Sequence, residues 1–184
     1  TGSLLKPFLY AGLIESGYAH PDMLVFDIPT DLTGFIPQNF TRSFSGAVTL
    51  KSALTTSLNV PAVRQLSYYG TEKFIYDLHL LGLSRFKNSR RHLGLSIVLG
   101  GGEESLLNLT KAYSRLMLKA LESPKIANDF PYSSATAYLT LNMLFDVTRP
   151  GINKYWKQFA NSQQIAWKTG TSYGHKDAWA IGSN

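Results

Sequence analysis

The chain contains no cysteine, which excludes disulfides, thiolate metal sites and thiol nucleophiles together and leaves the redox compartment open. It has no apolar run approaching the ~20 residues needed to cross a bilayer. It begins Thr1-Gly2-Ser3 rather than with a methionine and a basic, then apolar, leader. The expectation is a soluble segment cut from a longer precursor. Low-complexity tracts and self-similar periods are also missing, so solenoid, collagen-like and disordered classes fall away. The histidines His20, His79, His92 and His175 are scattered. None stands at i, i+4 from another or beside a carboxylate motif, so no metal site is expected.

What remains is globular: 184 residues, 44% hydrophobic, 12% aromatic and 16% charged, enough for one domain or most of one. Lys and Arg exceed Asp and Glu by 18 to 12, a net charge of +6. That mild bias favours acidic partners in general. The one dense basic stretch, Arg85, Lys87, Arg90, Arg91 and His92, has neither an aromatic stacking ladder nor finger spacing and reads as a solvated loop. Nucleic acid is not an expected partner.

The periodicity predicts helices followed by one β-hairpin. Ser3 to Ser16 reads as a helix closed by Gly17, and a Pro-rich aromatic connector follows from about His20 to Gly46. Helices are expected at Val48 to Thr56, Pro61 to Tyr69 and Thr71 to Leu81, with Thr71 as cap. Ser105 to Leu121 places Leu106, Leu109, Tyr113, Leu116 and Ala120 at helical spacing, with Leu107, Met117 and Leu118 also apolar, and should be largely buried. Ser133 to Val147 repeats the pattern with Tyr138, Leu141 and Leu144, and Pro150 ends it. Then the period drops to two. Ile165 to Ser172 and Ala178 to Gly182 read as antiparallel strands around Gly174-His175-Lys176, with Trp167 and Trp179 as packing residues and Asp177 serving the turn. Two strands alone are marginal, so the rest of the sheet is expected outside this sequence or absent.

Three short motifs carry chemistry. Ser3-Leu4-Leu5-Lys6 sets a hydroxyl and an amine one helical turn apart, where the amine can take the hydroxyl's proton. Pro7 is tolerated only near a helix start, which fixes the start at about Ser3 and puts its hydroxyl at a terminus with free backbone N–H groups. Ser84-Arg85-Phe86-Lys87 has the same spacing but sits in the basic loop with no helix start, and is a decoy. Ser57-Leu58-Asn59 supplies a second hydroxyl and an amide in a turn between helices, suited to relaying a proton and holding a carbonyl. In Lys168-Thr169-Gly170-Thr171, Lys168 shares a strand face with Ala166 and Gly170, small residues that leave a groove for a ligand backbone. Thr169 and Thr171 face the other way. Such an edge fits an extended peptide whose terminal carboxylate meets Lys and Thr.

These three motifs, in this order and local setting, resemble those of the serine penicillin-recognising family. The likeness runs along nearly the whole chain. Gly2-Ser3-Leu4-Leu5-Lys6-Pro7-Phe8, Ile36-Pro37-Gln38-Asn39-Phe40, Ser52-Ala53-Leu54, Ser57-Leu58-Asn59-Val60-Pro61-Ala62-Val63 and Leu99-Gly100-Gly101 are similar to segments of bifunctional class A penicillin-binding proteins. So are Ala166-Trp167-Lys168-Thr169-Gly170-Thr171-Ser172-Tyr173-Gly174 and Asp177-Ala178-Trp179-Ala180. The resemblance implies an α+β domain of the serine β-lactamase/transpeptidase-like fold, mostly helical with the C-terminal antiparallel hairpin and part of its sheet missing. The activity implied is that of a D,D-transpeptidase/carboxypeptidase cross-linking peptidoglycan stem peptides that end in D-Ala-D-Ala. It needs no cofactor, is acylated by β-lactams, and works at the periplasmic face of a bacterial inner membrane in a membrane-anchored parent. Ser3 would be the nucleophile, Lys6 its base, Ser57 a proton shuttle with Lys168 beside it. Asn59, Thr169, Gly170 and Thr171 would bind substrate, and the backbone N–H groups of Ser3 and Thr171 would form the oxyanion hole.

The chain departs from the family form in extent. Strands before the nucleophile helix, the last strand and the closing helix are expected to be missing from residues 1–184, which then form a partial transpeptidase domain. Lys119-Ala120-Leu121-Glu122-Ser123 stands where relatives carry Ala-Asn-Gly-Gly. Gly100-Gly101-Gly102 reads as a helix start, since Glu103 and Glu104 complement a helix N-terminus and repel phosphate. Glu104 and Asn108 also have the Glu-x-x-x-Asn spacing of a deacylating β-lactamase site, one alternative reading; a non-catalytic β-lactam-binding sensor is another.

Overall fold

The computed structural model describes residues 1–89, 94–124, 129–147, 164–171 and 178–184. A 3-10 turn, Gly2–Leu5, runs directly into helix α1, Lys6–Glu15. Pro7 sits in the first turn of α1 and Gly17, at φ +70°, closes it. The continuous helix expected from Ser3 is therefore a tight 3-10 lead-in followed by an α-helix. Every residue of α1 from Lys6 to Leu13 is buried, the mark of a helix surrounded on all sides. Helices α2 (Leu50–Thr55), α3 (Asn59–Tyr69), α4 (Thr71–Leu80) and α6 (Ser134–Phe145) pack around it.

The connector holds structure that its prolines conceal. Strand β1, Leu24–Asp27, pairs antiparallel with β2, Gly46–Thr49, in register Leu24 with Thr49 and Asp27 with Gly46. Alternation along β1 turns Val25 and Asp27 inward and leaves Leu24 and Phe26 exposed. The helix expected from Val48 starts only at Leu50, where the Thr49 side chain accepts from Ser52 N at 3.1 Å. Thr71 does not cap α4. Gly70 occupies that position, at φ +92°, and Thr71 is already helical.

After 3-10 turns at Ser84–Ser89 and Gly94–Leu99 comes α5, Leu106–Ala120, capped by Ser105, whose Oγ accepts from Asn108 N at 3.1 Å. The helix start expected at Gly100–Gly102 thus falls a turn later. Nor is α5 largely buried: Leu109, Ala112, Tyr113 and Leu116 point inward, but Leu106, Leu107 and the following Leu121 are exposed. On α6, Tyr138 is exposed as well, and Ser133 caps the helix through Thr136 N at 3.2 Å. Buried hydroxyls tie α1 and the turn before it to their neighbours. Tyr113 donates to Leu4 O at 2.7 Å and Tyr132 to Phe8 O at 2.9 Å, while Phe8 and Tyr113 meet edge to face at 5.0 Å.

Strands β3, Ala166–Thr171, and β4, Ala178–Ser183, pair antiparallel as expected, with Trp167 opposite Gly182 and Trp179 opposite Gly170. Both tryptophans pack against the core. The expected turn at 174–176, Asp177, Pro150, and residues 90–92 of the basic stretch lie outside the described residues. Arg85, in the described part of that stretch, lies 3.6 Å from Glu104 Oε1.

Candidate active site

The three motifs meet where the 3-10 turn, the loop before α3 and strand β3 converge. Glycines make the approach possible. Gly2 adopts φ +55°, and a Cβ there would lie 2.5 Å from the Thr171 backbone nitrogen. A Cβ on Gly100, at φ +99°, would lie 2.5 Å from Gly2 N, and one on Gly170 would collide with the Thr1 carbonyl. The Ser3 turn is therefore wedged between β3 and the loop at Gly100, and only glycine fits at these contacts. The face of β3 read as a groove for ligand backbone is in fact occupied at Gly170 by the protein's own residues Thr1 and Leu4.

Lys6 is fully buried, and Nζ donates to Asn59 Oδ1 at 2.7 Å, Ser57 O at 2.8 Å and Leu58 O at 3.0 Å, with Ser57 Oγ at 3.5 Å. Burial away from water, and then the positive charge of Lys168, hold its pKa well below that of free lysine. Lys168 is buried on β3 and donates to Ser57 Oγ at 2.8 Å and to Thr169 O at 2.8 Å. Ser57 thus stands between two amines. Its backbone is left-handed, at φ +59°, an unfavourable state for a serine and one that concentrates at functional turns.

Asn59, expected in the turn, is the first residue of α3. Its Nδ2 donates to Gln38 O at 2.8 Å. The half-buried Ser3 hydroxyl makes no hydrogen bond among the described residues, to Lys6 or to any other group. Thr169 is half-buried, and Thr171 is exposed at the end of β3. Sequence reasoning missed Asn39 and Asp27 as parts of this region. Asn39 Oδ1 accepts from Asn59 N at 2.8 Å and Val60 N at 3.2 Å, and its Nδ2 donates to Asp27 Oδ1 at 2.7 Å.

Glu104 and Asn108 also meet, Nδ2 to Oε1 at 2.9 Å. That Oε1 accepts from Ser105 N as well, at 2.8 Å, while Oε2 is buried without a hydrogen bond among the described residues. Ser84, the decoy serine, lies exposed on its own 3-10 turn.

A serine in the tight turn leading into a helix, a lysine one turn on, a Ser-x-Asn turn and a Lys-Thr-Gly-Thr strand are set in an α+β frame of the serine β-lactamase/transpeptidase-like fold. No family model matches the chain. The transpeptidase domain of penicillin-binding protein 3 from Burkholderia pseudomallei superposes with a TM-score of 0.80 at 20% identity, covering 100% of this chain and 66% of that one. PonA1 from Mycobacterium tuberculosis, in complex with penicillin V, superposes at 0.79 and 19% identity, covering 100% and 57%. In sequence, the chain is similar to penicillin-binding proteins along its whole length. It is 34% identical over 190 residues to penicillin-binding protein 1C of Escherichia coli, a member its β3–β4 segment resembles, covering all of this chain and 24% of that protein. The chain thus spans about a quarter of that relative's length.

Proposed function

We propose that residues 1–184 are part of a D,D-transpeptidase domain that forms a serine acyl-enzyme with peptidoglycan stem peptides ending in D-Ala-D-Ala. The reading rests most heavily on Ser57 Oγ lying within reach of both Lys6 and Lys168 beside the Ser3 turn. Ser3 Oγ attacks the carbonyl carbon of the penultimate D-Ala while its proton passes to neutral Lys6. The low pKa of Lys6 raises the neutral fraction available near pH 7. The N–H groups of Ser3 and Thr171 face the developing oxyanion; the contact between Gly2 and the Thr171 backbone supports this pairing. The C–N bond breaks, and Ser57 delivers the proton to the departing D-Ala amine, with Lys168 holding the shuttle in place. An acceptor amine then attacks the ester and frees Ser3; water in its place gives carboxypeptidase activity.

Thr169 and Thr171 bind the terminal carboxylate beside Gly170, and Asn59 holds the substrate amide once Lys6 releases it. With a β-lactam the broken C–N bond leaves the nitrogen tethered, so the acyl-enzyme persists. The parent protein is anchored in the inner membrane and works on its periplasmic face. Release of D-Ala from a diacetyl-Lys-D-Ala-D-Ala peptide by the intact protein tests turnover. Acylation by penicillin without any D-Ala release would favour the sensor reading.

A further inference from the structure

Beside the site lies a polar relay with one consistent direction. Asp27, fully buried at the end of β1, uses both oxygens as acceptors: Oδ1 from Asn39 Nδ2 at 2.7 Å and Oδ2 from Ser45 N at 2.8 Å. A carboxylate acceptor forces the Nδ2 side of the Asn39 amide toward itself. Asn39 is itself buried, and Ser43 O accepts from the same Nδ2 at 2.9 Å. Its Oδ1 must then face the start of α3, where it accepts from Asn59 N and Val60 N. The neighbouring carbonyl of Gln38 takes Asn59 Nδ2, which leaves Asn59 Oδ1 pointing at Lys6 Nζ, 2.7 Å away. The chain of bonds runs from a buried carboxylate to the amine of the acylation site without a reversed or missing donor.

We propose that Asn39, oriented by Asp27, is a positioning residue for acylation: it caps α3 so that Asn59 meets Lys6 and Ser57 keeps its left-handed turn. The proposal rests on the acyl-enzyme reading above. Asn39 touches no reacting atom. Its effect is on how often Lys6 and Ser57 are in line, and small displacements of such groups are costly in rate. The relay also gives β1–β2 a purpose, since the ribbon supplies the charged one of the two acceptors, Asp27 and Ser43 O, that fix the Asn39 amide.

The test is Asn39→Asp, which sets two carboxylates face to face, against the exchange Asp27→Asn with Asn39→Asp. The exchange restores one amide and one carboxylate with the donor direction reversed: the amide now at position 27 would donate to the carboxylate at position 39 and still accept from Ser45 N, and only the bond to Ser43 O is not replaced. In the intact protein, the rate of penicillin acylation at saturation should fall about 10- to 100-fold in Asn39→Asp, with a smaller change in the non-covalent binding constant. The exchange should recover a clear part of that rate, about 5-fold or more over Asn39→Asp, with the lost bond to Ser43 O accounting for the remainder. If Asn39→Asp does not fold, a folded exchange variant that acylates within several-fold of the unaltered protein supports the relay. One that folds but stays as slow as a variant lacking Asn39 overturns it. An unchanged acylation rate in folded Asn39→Asp would overturn this inference alone. Failure of the unaltered protein to form any adduct at Ser3 would overturn the functional reading and this inference with it.

Discussion

Lys168 Nζ lies 2.8 Å from Ser57 Oγ, although the two residues are 111 positions apart in the chain. The same ammonium is one of the two causes that lower the pKa of Lys6, after burial. Lys168→Met keeps the volume and removes the charge. The Lys6 pKa should then rise toward the ordinary lysine value, so the ascending limb of acylation rate against pH should move to higher pH. The neutral fraction of Lys6 at pH 7 falls, and loss of the shuttle's partner lowers the rate further, by about 10²-fold or more. A pH–rate profile with labelled penicillin reads both, and an unmoved limb would show that Lys168 does not tune Lys6.

Gly2 holds the Ser3 turn against β3. Gly2→Ala adds a methyl into the Thr171 backbone at a left-handed position, which should cost about 1–3 kcal/mol in stability. Because the strain falls between Ser3 and Thr171, acylation should drop by more than the stability loss explains. Thermal melts alongside acylation rates separate the two effects.

Much of this arrangement is legible in the sequence, and the exceptions have physical reasons. The motif residues Lys6, Ser57, Asn59 and Lys168 stand out by type, order and local setting, and the fold brings them together; the hairpin shows in its period of two. Strand β1 hides because its apolar run, Met23 to Phe26, is short and lies between Pro21 and Pro29, which read first as connector. A four-residue strand cannot show enough alternation to override them. Asn39 and Asp27 were invisible as partners because a cap supplied from 20 residues away leaves no local pattern. The Gly170 groove was misread for a related reason: a strand shows which face is small, while only the fold shows what fills it.

Tyr113 anchors the Ser3 turn from α5 through its bond to Leu4 O. Tyr113→Phe keeps the ring contact with Phe8 and leaves that buried carbonyl unpaired, for a loss of about 1–2 kcal/mol. Chemical denaturation should show a lower midpoint with an unchanged slope, and the acylation rate should change only a few-fold.

Glu104 separates transpeptidase from β-lactamase chemistry. Its Oε1 is committed to Ser105 N and Asn108. On the transpeptidase reading, Glu104→Gln should leave the lifetime of the penicillin adduct unchanged, even though Oε2 has no hydrogen bond among the described residues. A short-lived adduct that becomes long-lived in the variant would mean that this carboxylate drives deacylation.

The central claim is that Ser3 is the residue acylated. Intact-mass analysis of the protein after exposure to a labelled penicillin, with Ser3→Ala and Ser84→Ala in parallel, tests it most directly. The account predicts a stable adduct of one penicillin that survives Ser84→Ala and disappears in Ser3→Ala. An adduct that persists in Ser3→Ala would contradict it.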